Sequence, residues 1–313
     1  MNILVIGGGS IGQRHIRNLL FLVPNATITL VSKFSSHTSD FQALPIEISS
    51  VLPLNCWFDY IVIASPASHH LEHLKYSLAH TDNIFLEKPL FACNSYPPNL
   101  SSLFISNDKF IQVGYVLRFD PIIVLVKSFL DTQQFGSPLI ARIWGGQDLR
   151  RWRPEVDYRT TVSSQIKLGG GPTHELSHEL DYMIHFFGIP TKTYSSLVQN
   201  SSLDIDTEDV ANFIFEFSSL SAVVSLDFIS VPASLGFTIH TDTHTISADF
   251  VNRSLSVSSE DSFTDFPLGE FSYNEIYLEQ FRYFLFPDHR QSYSPCTYEQ
   301  ALSVFDIIKS AFS

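Results

Sequence analysis

Two stretches of this sequence carry residue types whose spacing could do chemistry. The first is Gly7-Gly8-Gly9-Ser10-Ile11-Gly12, which contains G-x-G-x-x-G directly after the apolar run Ile3–Ile6. In that setting the pattern reads as a turn between a strand and a helix that cradles a dinucleotide pyrophosphate. Gly7 permits the tight turn, Gly9 lets the backbone approach the phosphates, and Gly12 lets helix and strand pack closely. Ser10 and Ile11 then open the helix whose N–H groups face the anion. The acidic residue that usually meets the ribose about 20 residues on is replaced by Ser32-Lys33. Lys33, with Ser32, Ser35 and Ser36, could hold a 2′-phosphate, which favours NADP(H), with NAD(H) as the alternative. The second stretch is His174-Glu175-Leu176-Ser177-His178, literally H-E-x-x-H. On a helix that pattern can place two histidines on zinc and a glutamate beside the metal-bound water. A zinc hydrolase is therefore one reading.

These residues need elements to hold them. Apolar runs at Ile3–Ile6, Thr27–Val31, Asp59–Ala64, Asn83–Glu87 and Phe110–Tyr115 alternate with helical stretches. That is the signature of a parallel sheet covered on both faces. After about Phe119 the pattern changes. Helices are expected at Pro121–Leu130 and Thr173–Phe187, and a strand at Leu139–Ile143. Strand-like runs then follow one another at Val210–Phe217, Ala222–Ile229, Phe237–His240 and Thr245–Phe250, which predicts an antiparallel sheet. Tyr273–Phe284 and Tyr298–Phe312 read as closing helices. The fold class is α/β: a Rossmann dinucleotide-binding domain over 1–119, then an α+β domain over 120–313 with a large, mostly antiparallel open sheet, for substrate binding and oligomerisation.

The 313 residues are 44% hydrophobic and carry a net charge of −13. A strongly acidic chain is unsuited to nucleic acid, because phosphate binding needs a basic face. No apolar run approaches the ~20 residues of a membrane span. The chain runs from Met1-Asn2 straight into a strand, so no leader is expected. Cys56, Cys93 and Cys296 are scattered and form no CxxC pair. A cytoplasmic, reducing setting is expected.

Two later motifs join the glycine loop: Glu87-Lys88-Pro89 after a strand, and Gly169-Gly170-Gly171 before HELSHELDYMIHFFG. With Ser65-Pro66, His70 and the GYVLRF segment Gly114–Phe119, they resemble the Gfo/Idh/MocA family of oxidoreductases, the glucose–fructose oxidoreductase and inositol dehydrogenase relatives. The resemblance implies an NAD(P)-dependent enzyme moving a hydride between the nicotinamide and a hydroxyl or ketone of a sugar, cyclitol or sugar nucleotide. It implies Lys88 as a catalytic and substrate-orienting residue. It places Ser65, Pro66, His70, Glu87 and Lys88 around the cofactor. Among substrate contacts it suggests Arg118, His174, His178 and Asp181. His178 becomes the general acid/base, with Glu175 in the place where the family more often has aspartate. Tyr158 and Arg159, in the Arg-rich stretch before the glycines, could bind hydroxyl or anionic groups, since arginine offers a fork of donors. The resemblance also implies a homodimer or homotetramer formed on the open sheet. A dinucleotide-binding protein without catalysis is the remaining alternative.

Overall fold

The structure is a computed structural model that describes residues 1–32, 44–92, 109–291 and 293–312. Lys33, Ser35, Ser36 and Cys93 lie outside the described residues. The chain forms two compact units. The first comprises Met1–Val116 and Tyr273–Ala301, the second Leu117–Ser272 and Leu302–Ser313.

In the first unit, β1 (Asn2–Ile6), β2 (Thr27–Val31), β3 (Glu47–Ser49), β4 (Tyr60–Ile63), β5 (Asn83–Leu86) and β6 (Phe110–Val113) form a parallel sheet. Their order is β3-β2-β1-β4-β5-β6, the doubly wound arrangement that reverses direction between β1 and β4. Helices α1 (Ser10–Leu22) and α2 (His70–Leu78) follow β1 and β4. Ile3–Val5, Ile61–Ile63 and Ile84–Leu86 are essentially inaccessible, as strands covered on both faces should be.

The cut at 119/120 gives the whole C-terminal half to the second domain, and here the structure differs. The helix Tyr273–Leu285 and the short strand Cys296–Thr297 belong to the first unit. Phe281, Phe284 and Leu285 join Ile3, Val5, Ile16, Leu19, Val62 and Phe85 in one buried cluster. The strand Cys296–Thr297 extends the sheet antiparallel to β6. An amphipathic pattern shows that a helix has an apolar face but not which sheet that face covers.

In the second unit, β7 (Pro138–Gly146), β8 (Lys192–Val198), β9 (Val210–Glu216), β10 (Ser221–Asp227), β11 (Ser234–Thr241), β12 (Thr245–Asp249), β13 (Ser254–Ser258) and β14 (Phe263–Asp265) form an eight-stranded sheet. Its order is β14-β13-β12-β11-β7-β10-β9-β8. Every pairing is antiparallel except β7 with β10. Side chains alternate across it. Phe213, Val224, Ile143, Phe237, Ala248 and Leu255 form one buried row in register. One residue along, Tyr194, Ile214 and Val223 pair across β8, β9 and β10 and stay 51%, 49% and 39% exposed. This unit also holds α3 (Pro121–Asp131), the single turns α4 (Leu149–Trp152) and α5 (Pro172–Glu175), and α6 (His178–Phe187). Tyr182 and Phe186 of α6 pack their rings 5.7 and 5.5 Å from Phe237 on the buried face. The helix of 273–285 is α7, and α8 (Tyr298–Ala311) ends the chain.

The single helix expected over Thr173–Phe187 is two helices. Leu176 leaves helical geometry (φ −98°, ψ 28°) and a new helix starts after Ser177, with no side-chain cap. Both residues are buried at the break.

Candidate active site

In the first unit the candidates gather at the C-terminal edge of the parallel sheet. The register aligns Ile6, Ile63, Leu86 and Val113. The next residues of those strands, Gly7, Ala64, Glu87 and Gly114, therefore lie side by side. Gly7 (φ +115°) turns against Ala64, whose carbonyl leaves no room for a β-carbon. A β-carbon on Gly12 would strike the Gly7 carbonyl. At Gly9 the same atom meets nothing within 4 Å. Two of the glycines are thus demanded by the chain itself, and the third opens outward. Helix α1 begins behind them with no side-chain cap and no acidic residue in its first turn. Its leading N–H groups suit an anion. Gly9 and Ser10 are exposed and Ile11 half-buried, so the loop fits a dinucleotide phosphate. Ser32 ends the β2 edge with its N–H on the Ser49 carbonyl.

Lys88 is half-buried at the end of β5. Its backbone N–H donates to Glu87 Oε2 at 3.1 Å. Glu87 Oε1 lies 2.6 Å from His15 Nε2. Glu87 is 7% exposed and both of its oxygens are engaged. The structure thus gives it to the protein rather than to a cofactor. His70 is corrected in the same way. It is 1% exposed, with Nδ1 2.9 Å from the Pro89 carbonyl and Nε2 2.7 Å from the Ser65 carbonyl. Burial lowers its pKa against the pull of those carbonyls. His70 ties the Ser65-Pro66 turn to the turn after Lys88. Pro66 is exposed beside it. Ser65 Oγ pairs with His73 Nδ1 at 2.8 Å, and burial takes His73 down to about 4.

In the second unit Glu175 and His178 are half-buried, whereas His174 is 2% exposed and packs 5.6 Å from the Phe312 ring. Arg118 and Asp181 are each 1% exposed and engage one another. Arg118 Nε donates to Oδ2 at 2.9 Å and Nη2 to Oδ1 at 2.7 Å. This buried, bidentate pair is a core tie, so neither side chain is presented to a substrate as expected. Arg159 is exposed and paired with Asp157, Nη2 to Oδ2 at 2.7 Å. That pairing raises the arginine and lowers the aspartate. The half-buried Tyr158 accepts the Asp204 N–H at 3.2 Å.

The zinc reading requires His174 and His178 one turn apart on a continuous helix. The break at Leu176–Ser177 separates them. Among the described residues, no group of three His, Cys, Asp or Glu could hold a metal ion.

Three residues that sequence reasoning missed belong to this account. His15 sits on the buried stripe Gly12-His15-Ile16-Leu19 of α1, where a titratable ring among apolar residues was the available signal. His73 lies one turn beyond His70. Glu208 is 8% exposed and accepts the Thr173 N–H at 3.1 Å, and burial raises its pKa. Gly171 (φ +95°) leaves room for that carboxylate, which would lie 2.5 Å from a β-carbon.

Residues 1–115 match the Gfo/Idh/MocA family model, an oxidoreductase family with an NAD-binding Rossmann fold. The chain is 25% identical over 264 residues to Oxidoreductase P35 of Formosa agariphila, covering 78% of this chain and 81% of that one. It is 26% identical over 190 residues to the inositol 2-dehydrogenase of Acidothermus cellulolyticus, covering 58% of this chain and about half (52%) of the relative. A structure of levoglucosan dehydrogenase with NADH and L-sorbose superposes with a TM-score of 0.78 at 17% identity, covering 100% of this chain and 97% of the other. That last likeness is one of fold. Residues 1–115 thus match the NAD-binding Rossmann domain of the Gfo/Idh/MocA oxidoreductases.

Proposed function

We propose that this protein is a dehydrogenase or reductase that uses a nicotinamide dinucleotide, NADP(H) in preference to NAD(H), on a hydroxyl or ketone of a sugar, cyclitol or sugar nucleotide. The observation that carries the reading is the edge of the first sheet. There the open glycine loop and the Lys88 turn end aligned strands, with Ala64–Pro66 between them. The relatives support the substrate class: one is named an inositol 2-dehydrogenase, another a levoglucosan dehydrogenase. The cofactor preference rests on Ser32-Lys33 standing where an acid would meet the ribose.

When bound, the nicotinamide accepts or supplies the hydride. Lys88 donates a hydrogen bond to the reacting oxygen and steadies the negative charge that develops there. His178 takes the hydroxyl proton in oxidation and returns it in reduction. It is half-buried rather than enclosed, as is Glu175, which would orient it or meet the substrate. Tyr158 and Arg159 supply further donors for hydroxyl groups. Copies of the chain meet through the outer face of the eight-stranded sheet.

The test is a panel of myo-inositol, levoglucosan and UDP-N-acetylglucosamine with each oxidised cofactor, read at the absorbance of the reduced nicotinamide. Lys88→Ala should lower kcat on the order of 10²–10³-fold, and His178→Ala about 10²–10⁴-fold. Dinucleotide affinity should stay near wild type in His178→Ala. Lys33→Ala should cost NADPH about 1–3 kcal/mol and NADH nothing. Cofactor binding with no turnover across a widened sugar panel would instead make the protein a silent dinucleotide binder. NADH binding at least as tightly as NADPH would remove the 2′-phosphate contact.

A further inference from the structure

His15 and Glu87 lie 72 positions apart and meet in the core of the first unit. His15 is fully buried. The rings of Phe281 and Phe85 stand edge-on to it at 4.9 and 5.4 Å. Its Nδ1 has no hydrogen-bond partner among the described residues, so the bond from Nε2 to Glu87 Oε1 is the one its ring makes there. The other oxygen of Glu87 receives the Lys88 N–H. Gly114 lies alongside without a side chain, and a β-carbon there would come within 3.0 Å of the carboxylate.

A pair like this is a poor way to fill an aromatic core. Apolar residues of equal volume pack as well without the cost of desolvating a carboxylate. What an apolar pair cannot do is hold a backbone N–H at a strand end. The other end of the connection matters too. His15 is on α1, the helix that begins at the open glycine loop, and α1 packs against β1 and α7. Lys88 begins a turn that has left the ladder of β5.

We propose that His15 is a positioning residue: through Glu87 it fastens the turn that carries Lys88 to the helix that follows the glycine loop. The proposal rests on the catalytic reading of Lys88. Its role is to set where the lysine ammonium stands relative to a dinucleotide held at the start of the same helix. A misplacement of about 1 Å at such a group costs on the order of 10²-fold in rate.

The experiment compares wild type with His15→Leu, which keeps volume and loses the bond, and His15→Gln, whose amide nitrogen reaches about as far as Nε2. Hydrogen exchange is followed by mass spectrometry on the peptide containing Lys88, where Pro89 contributes no amide. Dinucleotide binding is measured by calorimetry with NADPH and NADH. Turnover is measured on the panel compound that wild type converts fastest. In His15→Leu the Lys88 amide should exchange faster while the amides of Ile84–Leu86 keep their protection. There kcat should fall about 10–100-fold with dinucleotide affinity near wild type. His15→Gln should restore both the protection and most of the kcat. Unchanged exchange at Lys88 in folded His15→Leu overturns the proposal. Faster exchange with undiminished kcat overturns it as well, since the tie would then position nothing the reaction uses. Lys88→Ala distinguishes the two failures: full turnover in that variant means that the reading of Lys88 is what failed.

Discussion

Arg118 shows what a single buried charge requires of its surroundings. Its guanidinium is satisfied by Asp181 in two parallel bonds, the geometry that best repays removing both ions from water. Its field also reaches His185, on the same helix as Asp181. Burial, with Arg118 and then Lys127, pushes the His185 pKa down to about 3. The unfolded chain therefore binds more protons than the folded one between about pH 6.5 and that value. The stability owed to the neutral ring is complete above the ordinary histidine pKa and is lost as pH falls toward the folded one. His185→Gln should lose less stability than wild type between about pH 7.5 and pH 5, by on the order of 1–2 kcal/mol. Urea melts at the two pH values measure this. Equal losses in both proteins would mean that the ring titrates normally. None of this could be read from the sequence, where Asp181 and Arg118 stand 63 positions apart and each reads as a substrate contact.

The strand-to-helix turn at residues 7–12 was legible because its constraints are local. A glycine forced to positive φ, a close approach and an open position follow from three spacings. The structure separates their costs. Gly7→Ala should prevent stable folding, since it combines φ +115° with a clash against the Ala64 carbonyl. Gly9→Ala, at φ −68° and in open space, should leave the melting temperature nearly unchanged and weaken dinucleotide binding. Thermal melts and calorimetry read the two effects apart, and a Gly9→Ala protein that binds normally would show that the backbone there is not approached. The break between α5 and α6 was not legible, because HELSHELDYMIHFF is helical in pattern throughout. The turn depends on burying Leu176 and Ser177 and on Glu208, more than 30 residues away, taking the Thr173 N–H. The His15–Glu87 bond was hidden for the same reason. It exists only once the sheet register has placed Glu87 beside Gly114.

Across the whole chain, the sheet of the second unit turns one apolar row outward. Tyr194, Ile214 and Val223 adjoin one another across three strands, with Ile140 exposed on the same face of β7. Contiguous exposed apolar surface of this kind is uncommon on a monomer. Ile214→Glu should leave circular dichroism unchanged and reduce the mass measured by light scattering to that of one chain. A mass that the substitution does not change would place the contact between copies elsewhere. Among the described residues no helix is long and apolar enough to cross a membrane. The first unit carries a different consequence in its connectivity, because its sheet is covered by α7 and edged by Cys296–Thr297 from the far end of the chain. A ribosome must translate through Ala301 before that unit has all its parts. Until then the face of β1, β4 and β5 awaiting Phe281 and Phe284 stays uncovered in the nascent chain, while the whole second sheet is being made. Vectorial synthesis thus completes the dinucleotide-binding unit only after the second sheet has been made, although most of its sequence comes first.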